Sequence, residues 1–224
     1  MSDLTLLYYT ANLISDFFAS NIIEHLLRIT NGVPIVSISH KPMVLGKNIC
    51  VGDIGISSWN IYYQILLGAK EAATKYVACC EDDSLYVPEH FEYRPKEDEF
   101  AYNVHRWNVN PMSYFYKRNR PGMCMCIAPT DLMVKTLETR FEKYTKEEYS
   151  GIEKIPFFGE PGRYEIMLGL PVVKRVHFTT ELPTLTFNHR PSYGGVRRLL
   201  PTDTVKEELP HWGRASDLWK GIYG

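Results

Sequence analysis

The stretch YVACCEDDSLYVPEHF, residues 76–91, sets an uncharged run, Tyr76 to Cys80, directly against three consecutive acids, Glu81, Asp82 and Asp83. A uniformly apolar segment of strand length is covered on both faces, which places it centrally in a parallel sheet. Ligands of open α/β sheets bind outside the carboxyl ends of such strands, and the acids fall there. If the segment stays extended, Glu81 and Asp83 point the same way and Asp82 faces elsewhere, so the outer two can share a hard divalent cation. Carboxylate oxygens suit magnesium or manganese. The plain alternative is a solvated acidic turn, and the flanking chain has to decide.

Upstream, Leu4 to Tyr9 reads as a first strand. Phe18, Ile22, Leu26 and Ile29 recur at helical spacing, and Asn31-Gly32 supplies a stop. Val33 to Ser37 reads as a second strand, and SHKPMVLGKNICVGDIG (39–55), with three glycines and a proline, as a loop. Ser57 or Ser58 caps a helix whose Ile61, Ile65, Ala69 and Ala72 form one face. The first ninety residues thus alternate β-α-β-loop-α-β, the pattern of a parallel, doubly wound α/β half.

Downstream, FAYNVHRWNV, SYFYKR and MCMCIA are strand candidates, followed by a helix from Thr130 to about Tyr144, a short helix from Pro161, and late strands VVKRVHF and PTLTFNH. The expected fold class is α/β: a Rossmann-like mixed sheet flanked by helices, parallel in its N-terminal half with antiparallel additions after it. One domain spans 1–224, with a first half over 1–91, a second over 92–193, and a mobile loop and tail over 194–224.

Composition supports a folded globule: 224 residues, 45% hydrophobic and 13% aromatic, with a formal net charge of −1. Such a balance gives no overall attraction to nucleic acid or anionic membrane, so a polyanion would need a local basic patch. The five cysteines include the adjacent Cys79 and Cys80, the C-x-C pair Cys124 and Cys126, and the isolated Cys50. They read as small strand residues in a reducing compartment rather than as disulfides or a zinc site. MSDLTLLYYTAN lacks the basic region and cleavage site of a signal peptide, and no segment has the ~20 apolar residues needed to span a bilayer. The expectation is a cytoplasmic protein with no membrane partner.

GISSWNIYYQILLGAKEAATKYVACCEDDSLYVPEHF (55–91) resembles, in order, the Gly-Ser-rich turn, amphipathic helix, strand, acidic motif and Pro-x-x-Phe of GT-A fold nucleotide-sugar glycosyltransferases. Glu81-Asp82-Asp83 matches their D-x-D signature as an E-x-D variant, and the short chain is similar to small bacteriophage-encoded members. The resemblance implies sugar transfer from a nucleotide sugar, UDP-linked, assisted by Mn2+ or Mg2+, with 1–91 as the nucleotide-sugar-binding half and 92–193 as the acceptor half. Asp83, Glu81 and the late His189 then become candidate metal ligands, with Asp82 approaching the donor ribose or sugar. It also implies that Tyr9, Thr10 and Asn12, after the first strand, hold the donor's base and ribose, with Lys47 and Ser57 near its phosphates. Arg197 and Arg198, after the Gly194-Gly195 hinge, would close over the diphosphate. FGEPGRYE resembles the family's Gly-Glu-Asp, but Pro161 stands where inverting members carry the catalytic Asp. Either Glu160 or Glu165 then serves as base, or the reaction retains configuration and needs neither.

The acceptor is open among a hydroxymethylated base in phage DNA, a glycan, a lipid and a small molecule. For DNA, Arg118, Arg120 and Arg190, with Arg197 and Arg198, form a candidate phosphate patch, and Trp107, Tyr114 or Tyr116 a platform for an extruded base. A nucleotidyltransferase would use the same half-fold and acids, but it usually has a glycine-rich loop after the first strand, and YYTAN contains no glycine. In a non-catalytic binding module the acids would be surface charge.

Overall fold

The computed structural model describes residues 2–118, 120–146, 159–190 and 203–224. Strand β1 (Leu4–Thr10) is buried along its whole length. Its side chains divide by alternation. Leu4, Leu6 and Tyr8 join a core with Phe18, Ile22 and Leu26 of helix α1 (Asp16–Thr30). Leu7 and Tyr9 join a second core with Tyr62, Ile65 and Leu66 of α2 (Ser58–Glu71) and Met133 and Leu137 of α3 (Thr130–Lys143). Helices therefore cover both faces of the sheet, and each buried aliphatic side chain contributes about 1.5–3 kcal/mol over an exposed one. Ser15 caps α1 by accepting from the Phe18 amide, and Asn31 ends it in the left-handed region at φ 43°. Ser57 caps α2. Gly68 marks where α2 lies closest to the sheet, since a Cβ there would come 2.5 Å from Ile38 Cδ1.

The main sheet has seven strands. In its N-terminal half, β1 pairs in parallel with β2 (Ile35–Ser39) and β4 (Tyr76–Glu81), and β2 with β3 (Lys47–Cys50). The additions on the other side of β4 are β9 (Cys126–Pro129), antiparallel to both neighbours, then β6 (Glu99–Asn103) and β10 (Lys174–Phe178). The fold is mixed α/β with a parallel N-terminal half, as the alternation of elements predicted. No described helix is long and apolar enough to cross a membrane.

A second sheet of five strands holds β5 (Ser84–Leu85), β11 (Thr184–Phe187), β7 (Arg106–Asn110), β8 (Tyr114–Arg118) and β12 (Val205–Lys206). The chain passes from one sheet to the other at the acids: β4 ends at Glu81, Asp82 and Asp83 turn, and β5 pairs antiparallel with β11. The turn is fixed by the Phe187 amide donating to the Asp83 carbonyl at 2.8 Å.

Several sequence expectations give way here. β3 lies inside the segment read as a loop; as a short, largely exposed edge strand it carries no apolar pattern. FAYNVHRWNV is two strands in different sheets, broken at Val104-His105, where the His105 amide donates to Asn103 Oδ1 at 2.9 Å. The helix expected from Pro161 starts at Glu165, because Pro161-Gly162 form a turn with Gly162 at φ 87°. Residues 203–224, assigned to a mobile tail, instead fold back onto the domain: β12 pairs with β8, Leu209 and Ala215 are buried, and Asn21 Nδ2 on α1 donates to the Ile222 carbonyl at 3.0 Å. The five cysteines are free thiols, four of them buried.

Candidate active site

At the carboxyl ends of β1 and β4 a cavity of about 520 Å³ opens, and Glu81, Asp82 and Asp83 all line it. The register of β1 against β4 sets Tyr9 beside Glu81, and the Tyr9 hydroxyl donates to Glu81 Oε1 at 3.0 Å. Thr10 Oγ1 donates to Asp82 Oδ2. His189 Nε2, beyond the end of β11, lies 3.3 Å from Asp83 Oδ2. The imidazole is 3% exposed and lies edge-on to Phe18 (ring centroids 5.7 Å) and near Tyr223 (5.8 Å), which fix its plane. Because the chain turns at Asp82, the extended geometry that would have aimed Asp82 elsewhere does not hold, and all three acids share one space.

That crowding changes their protonation. Burial, reinforced by the negative charge of Asp83, pushes Glu81 up to about 8, against the Tyr9 hydrogen bond that pulls it down. The same two causes push Asp82 up to about 6, against the Thr10 hydrogen bond and the His189 charge. Both acids keep some exposure to the cavity while protein surrounds their other sides.

Among the described residues, no three His, Cys, Asp or Glu side chains form a ready-made metal shell. The donor chemistry nonetheless fits a hard cation: three carboxylates and an imidazole line one cavity, and two of the acids are raised first by burial and then by the Asp83 charge, a repulsion that a divalent ion would relieve.

Of the other residues expected at a site, Tyr9, Thr10, Ser57, Arg120 and Glu160 line this cavity. Tyr9 is 3% exposed, with its ring in the core and its hydroxyl on Glu81, so it orients that acid and presents no face to a nucleotide base. Asn12 adopts φ 53° and accepts from the Lys41 amide at 2.9 Å, shaping the loop rather than lining the cavity. Arg190, exposed, follows His189 directly, and Arg118 lies at the end of β8. Arg197, Arg198 and the Gly194–Pro201 segment lie outside the described residues.

Further assignments are corrected. Lys47 stands on the edge strand, ion-paired to Glu71 at 2.5 Å, and does not reach the cavity. Glu165 is buried in an ion pair with Arg140 beside a separate cavity of about 320 Å³, so it is not a base for chemistry at the acids. Trp107 is 5% exposed and packed in the core of the second sheet, with Lys206 Nζ 5.6 Å from its ring, and cannot receive a base; Tyr116, 1% exposed, is equally closed.

The structure adds residues that the sequence reading passed over. Gln64 Nε2 donates to the carbonyls of Thr10 (3.0 Å) and Ile38 (3.1 Å), tying the ends of β1 and β2 together beneath the cavity. Arg106 and Asn108 of β7 also line it. Their signal was present in RWNVN, where polar residues alternate with Trp107 and Val109.

No protein-family model matches the chain, and no curated protein sequence matches it. Among solved structures, the chain is similar to a glycosyltransferase involved in the glycosylation of the major capsid of PBCV-1, with 8% identity over 82% of this chain and 91% of that one and a TM-score of 0.44. A CMP:2-keto-3-deoxy-manno-octonic acid synthetase complexed with CTP is matched at 10% identity over 80% and 91%, with a TM-score of 0.44. S. aureus TarS is matched at 9% identity over 82% of this chain and 36% of its own, with a TM-score of 0.46.

Proposed function

We propose that the chain is a metal-dependent glycosyltransferase that moves a sugar from a nucleotide sugar, UDP-linked, to a hydroxyl acceptor. The observation that carries this reading is the acidic cluster itself: Glu81, Asp82 and Asp83 gathered in a cavity at the carboxyl edge of the sheet, where burial and the Asp83 charge raise Glu81 and Asp82 above their ordinary values. Asp83, Glu81 and His189 are the residues that would hold Mn2+ or Mg2+. When bound, the ion supplies a positive charge against which a departing diphosphate is stabilised. Thr10 keeps Asp82 turned into the cavity beside the donor, and Ser57, at the N-terminus of α2, faces the same space.

Of the two candidate bases, Glu160 lines the cavity, with its Oε2 accepting from Arg163 Nη1 at 3.1 Å. It would take the proton of the acceptor hydroxyl as that oxygen attacks the sugar's anomeric carbon. Arg120, exposed at the cavity, and Arg190 beside His189 favour an acceptor that carries phosphate, and a hydroxymethylated base in DNA is the member of that class put to the test. Nucleotidyl transfer could use the same acids, but the loop after β1 lacks the glycines that would admit a triphosphate.

The deciding experiment is a panel of nucleotide sugars with manganese, scored for thermal shift and slow hydrolysis. Metal-dependent release of free sugar supports glycosyl transfer. Pyrophosphate release from a nucleoside triphosphate would replace it with nucleotidyl transfer, and neither activity would leave a binding module. Adding hydroxymethylated DNA to the active donor then tests the acceptor.

A further inference from the structure

Strand β7 has the sequence RWNVN, and its alternation sends Trp107 and Val109 into the core while Arg106 and Asn108 line the acidic cavity, each only 6% exposed. Both side chains are incompletely satisfied. Arg106 Nη1 donates to Cys124 Sγ at 2.9 Å, while its Nε is buried with no hydrogen-bond partner among the described residues. Asn108 Oδ1 is buried and equally without a donor. A buried polar group left unpaired costs about 1–3 kcal/mol, and both atoms belong to side chains that line one cavity, which points to a ligand that completes them. Gly122 leaves the guanidinium its place: a Cβ there would come 2.6 Å from Arg106 Nη1 and push it aside.

The two open atoms differ in kind. Arg106 Nε needs an acceptor and Asn108 Oδ1 needs a donor. A hydroxyl is both at once, and residues two apart on a strand lie ~7 Å from each other, comparable with the width of a hexopyranose ring. A carboxylate would satisfy Arg106 but leave Asn108 without a donor, and it would enter a cavity already occupied by Glu81 and Asp83. We propose that Arg106 and Asn108 form the subsite for the hydroxyl groups of the transferred sugar and select a neutral sugar over an acidic one. This assignment rests on the glycosyltransferase reading and names the substrate class within it.

The test compares affinities by calorimetry in the presence of manganese, on wild type and on Asn108→Leu, Arg106→Lys and Gly122→Ala. The probes are UDP, GDP, UDP-glucose, UDP-galactose, UDP-N-acetylglucosamine, GDP-mannose and UDP-glucuronate. Wild type should bind its best neutral donor at least about tenfold more tightly than the free nucleotide, the strength of one charged hydrogen bond, and UDP-glucuronate no more tightly than UDP. Each variant should lose that advantage while holding the free nucleotide within about twofold. Gly122→Ala displaces Arg106 without removing its charge, so the comparison stands even if Arg106→Lys fails to fold. Tightest binding of UDP-glucuronate, or equal weakening of nucleotide and nucleotide sugar in the variants, would overturn the subsite alone. Failure of wild type to bind any nucleotide would overturn it together with the glycosyltransferase reading.

Discussion

Arg140 and Glu165 are as deeply buried as any charges in the molecule, with side chains 1% and 3% exposed, and they answer each other. The guanidinium also donates to the Gly159 carbonyl at 2.7 Å and lies over the Tyr62 ring at 5.4 Å. Glu81, Asp82 and Asp83 are buried without that completion: their side-chain hydrogen bonds come from the neutral hydroxyls of Tyr9, Thr10 and Ser84, and the nearby Arg106 guanidinium and His189 ring do not keep Glu81 and Asp82 from being raised. One cluster fastens α3 to the helical turn at Glu165. The other raises the energy of the protein that carries it. Buried charge that is neutralised is architecture, and buried charge left in excess is a binding site awaiting a counter-charge.

The comparison breaks most visibly at Asp83. Asp83→Ala should lower metal-dependent donor hydrolysis by at least about a thousandfold while circular dichroism stays native, because removing one of three repelling acids costs little packing. Wild-type turnover in that variant would place the chemistry elsewhere.

Glu165→Leu attacks the opposite cluster. It strands the Arg140 charge in the core and should cost about 3–5 kcal/mol in denaturant unfolding. A loss below about 1 kcal/mol would show that the pair is not the fastening described.

Acidity sharpens the contrast further. Glu81 is raised in the folded protein to about 8, from an ordinary 4.5, so in metal-free protein the folded state binds the extra proton, and stability falls as pH rises toward 8. Asp82 acts in the same direction but only below about 6. His90, lowered to about 3 by burial, acts in the opposite direction and only below the ordinary histidine value of 6.5. Between pH 6.5 and 8.5 the melting temperature in EDTA should therefore drop, and Glu81→Gln should flatten that slope. An unchanged slope in the variant would mean that Glu81 is already ionised at neutral pH.

The smallest effect belongs to a third kind of pair. Lys47 and Glu71 meet in solvent, with side chains 66% and 37% exposed. Lys47→Ala should change stability by less than about 1 kcal/mol and leave donor hydrolysis as it was; a large loss of hydrolysis would return Lys47 to the site.

What the sequence discloses follows from how local each signal is. The apolar run ending in three acids places β4 and the cavity without help, because alternation, length and strand ends are properties of neighbouring residues. Thr10 and Ser57 stand at element boundaries that line the cavity, the end of β1 and the N-cap of α2, whereas Glu160 is legible only through the likeness of FGEPGRYE to a family motif. Lys47 and Glu165 were misplaced because their partners, Glu71 and Arg140, lie 24 and 25 residues away, and nothing local announces a pair closed by tertiary contact. Trp107 was misjudged because FAYNVHRWNV was read as one strand, and only the change of sheet at Val104-His105 shows that its ring goes to the core. That same break hid Arg106 and Asn108.

The turn at Asp82-Asp83 joins two sheets that share one core and not the other. Leu6 and Tyr8 of the main sheet and Val109, Leu185 and Phe187 of the second sheet belong to the same cluster on the α1 side. Among the described residues, the α2 and α3 side is built without any residue of the second sheet. The two sides therefore have unequal freedom to drift. Substitutions among Leu7, Ile65 or Met133 can be absorbed by repacking within one layer, whereas a change at Phe18 or Phe187, whose rings meet at 5.1 Å, moves the seam on which Asp83 and His189 are mounted. Sequence divergence compatible with the site is thereby steered to one face of the molecule.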